Sequence, residues 1–313
     1  MFFLCIWTKF NAIYVREMEQ NPGPRLCSKL FNIPLYMEIN DLIVPLLTES
    51  EATSTIIRKV VRNQKLDFNQ ATGLIVPSVP MCNWIIDQYS LSKSKVHMIL
   101  NGAEESNGYK LNKSQARTEL GLHHSCFCIV FIGNIYKEYD FNTILRAVAE
   151  CQAKIPMIRF FIIGDGPLTE QLKRQVNELG IDNKVIFTGY IPHDKLGRLA
   201  RAADVGLLIR TKRGAERYGP VSTKLSTYAS FKMPVITAGS SLKGYPNELA
   251  QGLLLIPPED PHALTDLFFY LYSHPEEREQ RANILYNFAR KKLTWKQITR
   301  DILNVISNQA GML

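Results

Sequence analysis

The chain has 313 residues, more than one hydrophobic core normally serves, so two domains are expected. Hydrophobic residues make up 46% and charged residues 21%, which excludes a disordered or fibrous chain. The net charge of +8 favours anionic partners such as phosphates, but the Lys and Arg residues are dispersed, so nucleic acid is not expected among them.

Residues 1–7 are apolar, are soon interrupted by Lys9 and are too few for a membrane span. They lack the features of a signal peptide and read as a strand or as a truncated start. The chain is therefore expected to be cytoplasmic, with peripheral contact to an anionic membrane as a hypothesis. Short apolar runs at Ala12–Val15 and Pro34–Ile39 predict strands, and Glu49–Leu66 has helical spacing. Gly73–Pro77 reads as a buried parallel strand, Met81–Tyr89 as a helix and Val96–Leu100 as a strand. This alternation implies a parallel sheet. The polar stretch Ala103–Ser114 reads as a linker between domains.

A second α/β series follows. Strands are predicted at Cys126–Ile132, Arg159–Ile163, Val185–Thr188, Val205–Ile209, Val235–Thr237 and Leu253–Ile256. Helices are predicted at Phe141–Ala153, Thr169–Leu179, Asp194–Ala202, Thr223–Phe231, Pro261–Ser273, Pro275–Lys292 and Trp295–Ser307. The six cysteines form no Cys-x-x-Cys pair and read as reduced core thiols, not as a metal site. Ligands of such sheets bind beyond the carboxyl ends of the strands, so those loops are the places to look for chemistry.

Gly133, directly after a strand, lets a ligand approach the backbone, with Lys137 placed to meet a phosphate; the alternative is a plain turn. Gly164 and Gly166 either expose amides for an anion or form a structural turn. Ser222 or Thr223 can cap a helix whose amino end attracts a diphosphate. Lys224 in its first turn opposes the helix dipole, a conflict that an anionic ligand would resolve. Tyr190 is placed either to stack on a base or on the surface, and His193 reads as a loop residue.

These loops occur in a particular order: VHMILNGAEES, VFIGNIYKEYDFNTILRA, FFIIGDGP, VIFTGYIPHDKL, AADVGLLI and YGPVSTKLSTYASFKMPVITA, over residues 96–238. That series resembles the retaining glycosyltransferases of the "group 1" family, family four. The resemblance implies a GT-B fold, with two Rossmann-like parallel-sheet domains facing across a cleft. It divides the chain into an incomplete acceptor-side domain over 1–105, a nucleotide-sugar-binding domain over 106–290 and a closing helix over 291–313 that crosses back. The first strands of the family's N-terminal domain have no counterpart in this sequence.

The implied reaction moves a sugar from a nucleotide diphosphate sugar to a glycan or lipid-linked acceptor, in polysaccharide or glycolipid synthesis. It would retain configuration, without a metal or bound cofactor. The resemblance gives Lys137, Lys224 and Glu216 as catalytic candidates. It gives Gly133, Asn134, Gly164, Gly166, Tyr190, Gly219, Ser222, Thr223, Thr227 and Tyr228 as donor contacts. On the acceptor side it points to Glu38, Asn40 and Asp41. This chain departs from the family at Asn134, where Arg is usual, and at Tyr139-Asp140, where Lys-Gly is usual. Gly219 and Thr227 stand where the family has two Glu residues, which leaves Glu216 as an offset candidate. An active transferase, a nucleotide-sugar-binding module that needs a partner, and a GT-B-type epimerase are all compatible with this pattern.

Overall fold

The structure is a computed structural model that describes residues 10–17, 21–102 and 112–310. The apolar start with Cys5, and most of the stretch read as a linker, lie outside the described residues. The chain forms two compact units, one running to Leu100 and resumed from Lys296, the other Asn101–Trp295.

The first unit holds a parallel sheet of β1 (Ile13–Arg16), β2 (Leu35–Glu38), β3 (Gly73–Val76) and β4 (Val96–Met98), in that order. Every residue of β3 is buried, as a parallel strand covered on both faces requires. The strands are joined by helices that include Gly23–Phe31, Ser54–Gln70 and Val79–Tyr89. Ser78 caps the last of these, its hydroxyl accepting from the Met81 amide at 3.4 Å. The helical stretch expected over 49–66 divides differently. Residues Ile43–Glu49 form a short helix, Glu51 turns left-handed at φ 57°, and the long helix starts afresh at Ser54. The helix Gly23–Phe31 was not among the expected elements; Pro24 stands in its first turn, where proline suits a helix start. The final helix joins this unit from Lys296 on, and the Ile306 carbonyl accepts from the Tyr36 hydroxyl at 3.1 Å.

The second unit holds β5 (Phe127–Ile132), β6 (Ile158–Ile163), β7 (Val185–Gly189), β8 (Val205–Leu208), β9 (Val235–Ala238) and β10 (Leu253–Ile256). All pair in parallel, in the order β10-β9-β8-β5-β6-β7. Strand order therefore reverses between β5 and β8, and the carboxyl ends of strands at such a reversal are where open parallel sheets bind ligands. Phe127, Ile129 and Phe131 of β5 and Phe160 and Ile162 of β6 fill the core, all nearly inaccessible. Asp140 and Asp260 cap helices Phe141–Cys151 and Pro261–Ser273, accepting from the Thr143 and Ala263 amides. Gly180 ends the helix before it with a left-handed φ of 63°.

Three helices lie where loops or linker were expected. Lys113–Glu119 begins inside the polar stretch, where Asn112 and Gln115 form a reciprocal capping box. Lys212–Tyr218 starts from Thr211, whose hydroxyl accepts from the Gly214 amide at 3.1 Å. Asn247–Gly252 follows β9. His193 opens the helix His193–Ala202 and is not a loop residue; its side chain lies outside the described atoms. At the amino end of the sheet, buried Asp204 accepts from Lys113, Arg117 and the Cys128 amide, and so ties the helix 113–119 to β5 and β8. Cys126, just before β5, and Cys128 within it have sulfurs 3.4 Å apart, and their mutual hydrogen bond, with burial, pushes the Cys128 thiol up. The five described cysteines are buried and form no disulfide with one another.

Candidate functional site

Three glycine turns meet at the carboxyl ends of β5, β6 and β7. The Gly133 amide donates to the Ile163 carbonyl at 2.8 Å, and the Gly164 amide to the Gly189 carbonyl at 2.9 Å. Both Gly133 (φ 133°) and Gly164 (φ 136°) hold backbone angles that side chains disfavour. A Cβ on Gly164 would collide with the Gly133 carbonyl oxygen, and one on Gly166 with the Ile135 backbone. The Gly166 amide already donates to Asp165 Oδ1 at 2.7 Å and to Thr169 Oγ1 at 3.1 Å. Hydrogen bonds from Thr169 and from that amide hold the Asp165 carboxyl below the usual carboxylate range. The Gly164 and Gly166 amides are thus engaged within the protein, as the structural reading of this turn expects.

The second component is the helix Thr223–Ser230. Ser222 caps it, Oγ accepting from the Lys224 amide at 3.2 Å. The chain enters through Gly219 at φ 74°. Thr237 Oγ1 donates to the carbonyls of Pro220 (2.8 Å) and Leu208 (3.2 Å), which pins this approach to β8. The Thr223 N–H is the first of the helix and has no intrahelical acceptor.

Lys224 reaches from this helix to the β5 turn. Its Nζ donates to Tyr139 Oη at 2.7 Å, and its stem lies so close to Gly133 that a Cβ there would strike Cε. The ammonium also lies 4.4 Å from the Tyr139 ring centroid and 5.6 Å from that of Phe131. Arg210, just past β8, pairs with Tyr139 through a backbone bridge. Its guanidinium carbon is 5.2 Å from the Tyr139 ring and 5.1 Å from that of Tyr218. Arg210 is only 7% exposed and its Nε has no hydrogen-bond partner among the described residues. No carboxylate among those residues pairs with either cation. Two uncompensated positive charges on one ring, beside a helix start, make an environment suited to an anion.

The other expected residues are placed as follows. Asn134 and Lys137 are exposed on the β5 turn, and Thr223 is exposed at the helix start. Glu216 is exposed on the helix Lys212–Tyr218 and hydrogen-bonds to no side chain among the described residues. Thr227 is half-buried, its hydroxyl turned back to the Thr223 carbonyl at 3.4 Å. Tyr190 is 79% exposed after β7. In the first unit, Glu38 accepts from Tyr14 Oη and Asn40 Nδ2, both at 2.6 Å, while Asp41 is exposed. Burial and the Glu38 hydrogen bond push the Tyr14 phenol up.

Tyr228 requires a correction. It is completely buried, accepts from the Ile132 amide and donates to the Leu207 carbonyl, both at 2.9 Å, so it ties β5 to β8 and has no surface to offer a ligand. Tyr228→Phe is expected to leave the Ile132 amide unsatisfied and cost roughly 1–3 kcal/mol, read by urea denaturation. From the sequence Tyr139 was noted only as a departure from the family pattern, and Arg210 was not singled out. The β5–β8 pairing brings the two together.

Residues 112–288 match the family model described as "Glycosyl transferases group 1", which covers more than half of the chain. The chain belongs to this family. It is 21% identical over 263 residues to a mannosylfructose-phosphate synthase of Agrobacterium fabrum, covering 79% of this chain and 56% of that protein. It is 25% identical over 200 residues to a D-inositol 3-phosphate glycosyltransferase of Nocardia farcinica, covering 61% and 42%. The chain thus spans about half the length of the curated relatives it matches. Among solved structures, HepE of Anabaena, crystallised in complex with UDP, superposes with a TM-score of 0.73 at 19% identity, over 91% of this chain and 75% of that one. The fold is therefore that of the GT-B group 1 transferases. The matched region of this group 1 chain contains the glycine turns, Tyr139, Arg210 and the helix that carries Lys224. Among the described residues no helix is long and apolar enough to cross a membrane.

Proposed function

We propose that this group 1 chain binds a nucleoside diphosphate sugar in its second unit and transfers the sugar. The observation that carries the reading is Lys224, a cation without a carboxylate partner among the described residues, which bridges the start of helix Thr223–Ser230 and the Gly133 turn. Breaking the bond between sugar and diphosphate leaves negative charge on the diphosphate. A lysine and an unpaired amide at a helix start stabilise that charge as it develops, which is where electrostatic catalysis acts. HepE, a fold neighbour, has been crystallised with UDP and with UDP-glucose, so a uridine donor is the first to try. The motif order supports retention of configuration and a glycan or lipid-linked acceptor. Glu38, held between Tyr14 and Asn40, is the acceptor-side carboxylate in this reading.

One observation favours a second reading, a binding module that needs a partner for catalysis. Thr227 and the exposed Glu216 leave the helix region without an acidic side chain at the place where the family carries one. Titration calorimetry with UDP-, GDP- and ADP-sugars, paired with an assay for nucleotide release, separates the two. Binding with turnover supports the transferase, binding without turnover supports the module, and no binding of any donor rejects both.

A further inference from the structure

We propose that Tyr139 is a positioning residue of the diphosphate site: its phenol oxygen and ring hold the Lys224 ammonium at the Gly133 turn, and the buried Arg210 guanidinium on the same ring fixes the tyrosine and adds its charge. The proposal rests on the donor reading above. A lysine side chain has four rotatable bonds, and ordering it on ligand arrival costs conformational entropy. Here the side chain is ordered in advance by the 2.7 Å hydrogen bond to Tyr139 and by the two rings beneath the ammonium. Preorganisation of this kind lowers the cost of binding.

Tyr139 is itself held from several directions. Its ring meets Phe131 edge-on at 5.0 Å and Phe141 at 6.5 Å. The backbone around it is joined to the end of β8, with the Asp140 amide on the Ile209 carbonyl and the Thr211 amide on the Glu138 carbonyl, both at 3.0 Å. Arg210 then lies 5.2 Å from the ring, between Tyr139 and Tyr218. A guanidinium that is almost wholly buried, with an unpartnered Nε and no paired carboxylate among the described residues, is costly unless a negative charge comes near. The diphosphate group supplies that charge from the Lys224 side of the ring. Arg210 acts through Tyr139 and by its field, not by touching the ligand. Lys224, Tyr139 and Arg210 come from three separate elements, which explains why no contiguous motif reveals the arrangement.

The test is a double-mutant cycle read by titration calorimetry with UDP and with inorganic pyrophosphate. Tyr139→Phe keeps the ring and removes the oxygen, and is expected to weaken both probes roughly tenfold. In a Lys224→Met background the same change is expected to weaken binding by less than about twofold, because the partner it positions is gone. Arg210→Met is expected to weaken both probes, and Arg210→Lys to recover part of the loss. Thermal melting checks that each variant is folded. An equal Tyr139→Phe loss in both backgrounds, or no loss in either, overturns the positioning role while leaving the donor reading intact. A wild-type chain that binds neither UDP nor pyrophosphate overturns the donor reading, and the positioning role with it.

Discussion

Lys224→Met is expected to lower turnover of the nucleotide-sugar donor by about two orders of magnitude, the usual effect of removing one charged donor from a developing anion. The substitution keeps roughly the length of the side chain and gives up the attraction of the ammonium to the Tyr139 and Phe131 rings, a small loss at a partly exposed site. It removes one hydrogen bond, to Tyr139, and no ion pair among the described residues. It also removes a positive charge from the first turn of a helix, where such a charge is unfavourable. Stability should therefore hold or rise slightly while activity collapses, a combination that damage to the fold cannot produce. Lys137, exposed on the β5 turn, serves as the comparison. Its replacement by Ala is expected to change turnover by only about threefold or less, since screening by water weakens an exposed charge. Steady-state kinetics and melting curves on both variants provide the check.

Gly164→Ala is expected to destabilise the second unit by roughly 3–5 kcal/mol, summing backbone strain and overpacking. Two causes act together. The φ of 136° lies in a region that alanine enters only under strain, and the added Cβ would meet the backbone carbonyl of Gly133, which cannot rotate aside. Moving that carbonyl would shift the turn against which Lys224 packs, so donor binding should fall with stability. Gly180→Ala separates the two causes. Its φ is also positive, at 63°, but a Cβ there meets nothing within 4 Å. It should cost only about 1–2 kcal/mol, from strain alone, and leave donor binding unchanged. Urea denaturation of both variants, with calorimetry of the survivors, distinguishes these outcomes.

The sheets were legible because buried parallel strands are written as short apolar runs. Predicted ends at β5, β6, β9 and β10 fall within a residue of the observed ones. The helix Thr223–Ser230 was legible from its capping serine and the loop before it. Helices that begin at polar or glycine-bearing stretches were not. KRGAERY carries a glycine and four charges, and only Thr211 and the packing of Gly214 against the Glu138 carbonyl make it helical. Within the site, the meeting of Gly133 and Lys224 follows from strand order, which local pattern does not encode. Tyr228 was misassigned for a related reason. A tyrosine on a helix near a ligand loop looks available until the register of β5 against β8 shows both of its hydrogen bonds taken. The structure brings Lys224 to the Tyr139 ring from the helix Thr223–Ser230, a meeting that the local sequence does not show.

The crystal structure of the chain soaked with UDP tests the account most directly. The diphosphate should lie against the Thr223 amide, within hydrogen-bond reach of Lys224 Nζ and beside the Gly133 turn. A nucleotide bound with its diphosphate away from that helix start, or a crevice left empty at saturating UDP, would contradict it.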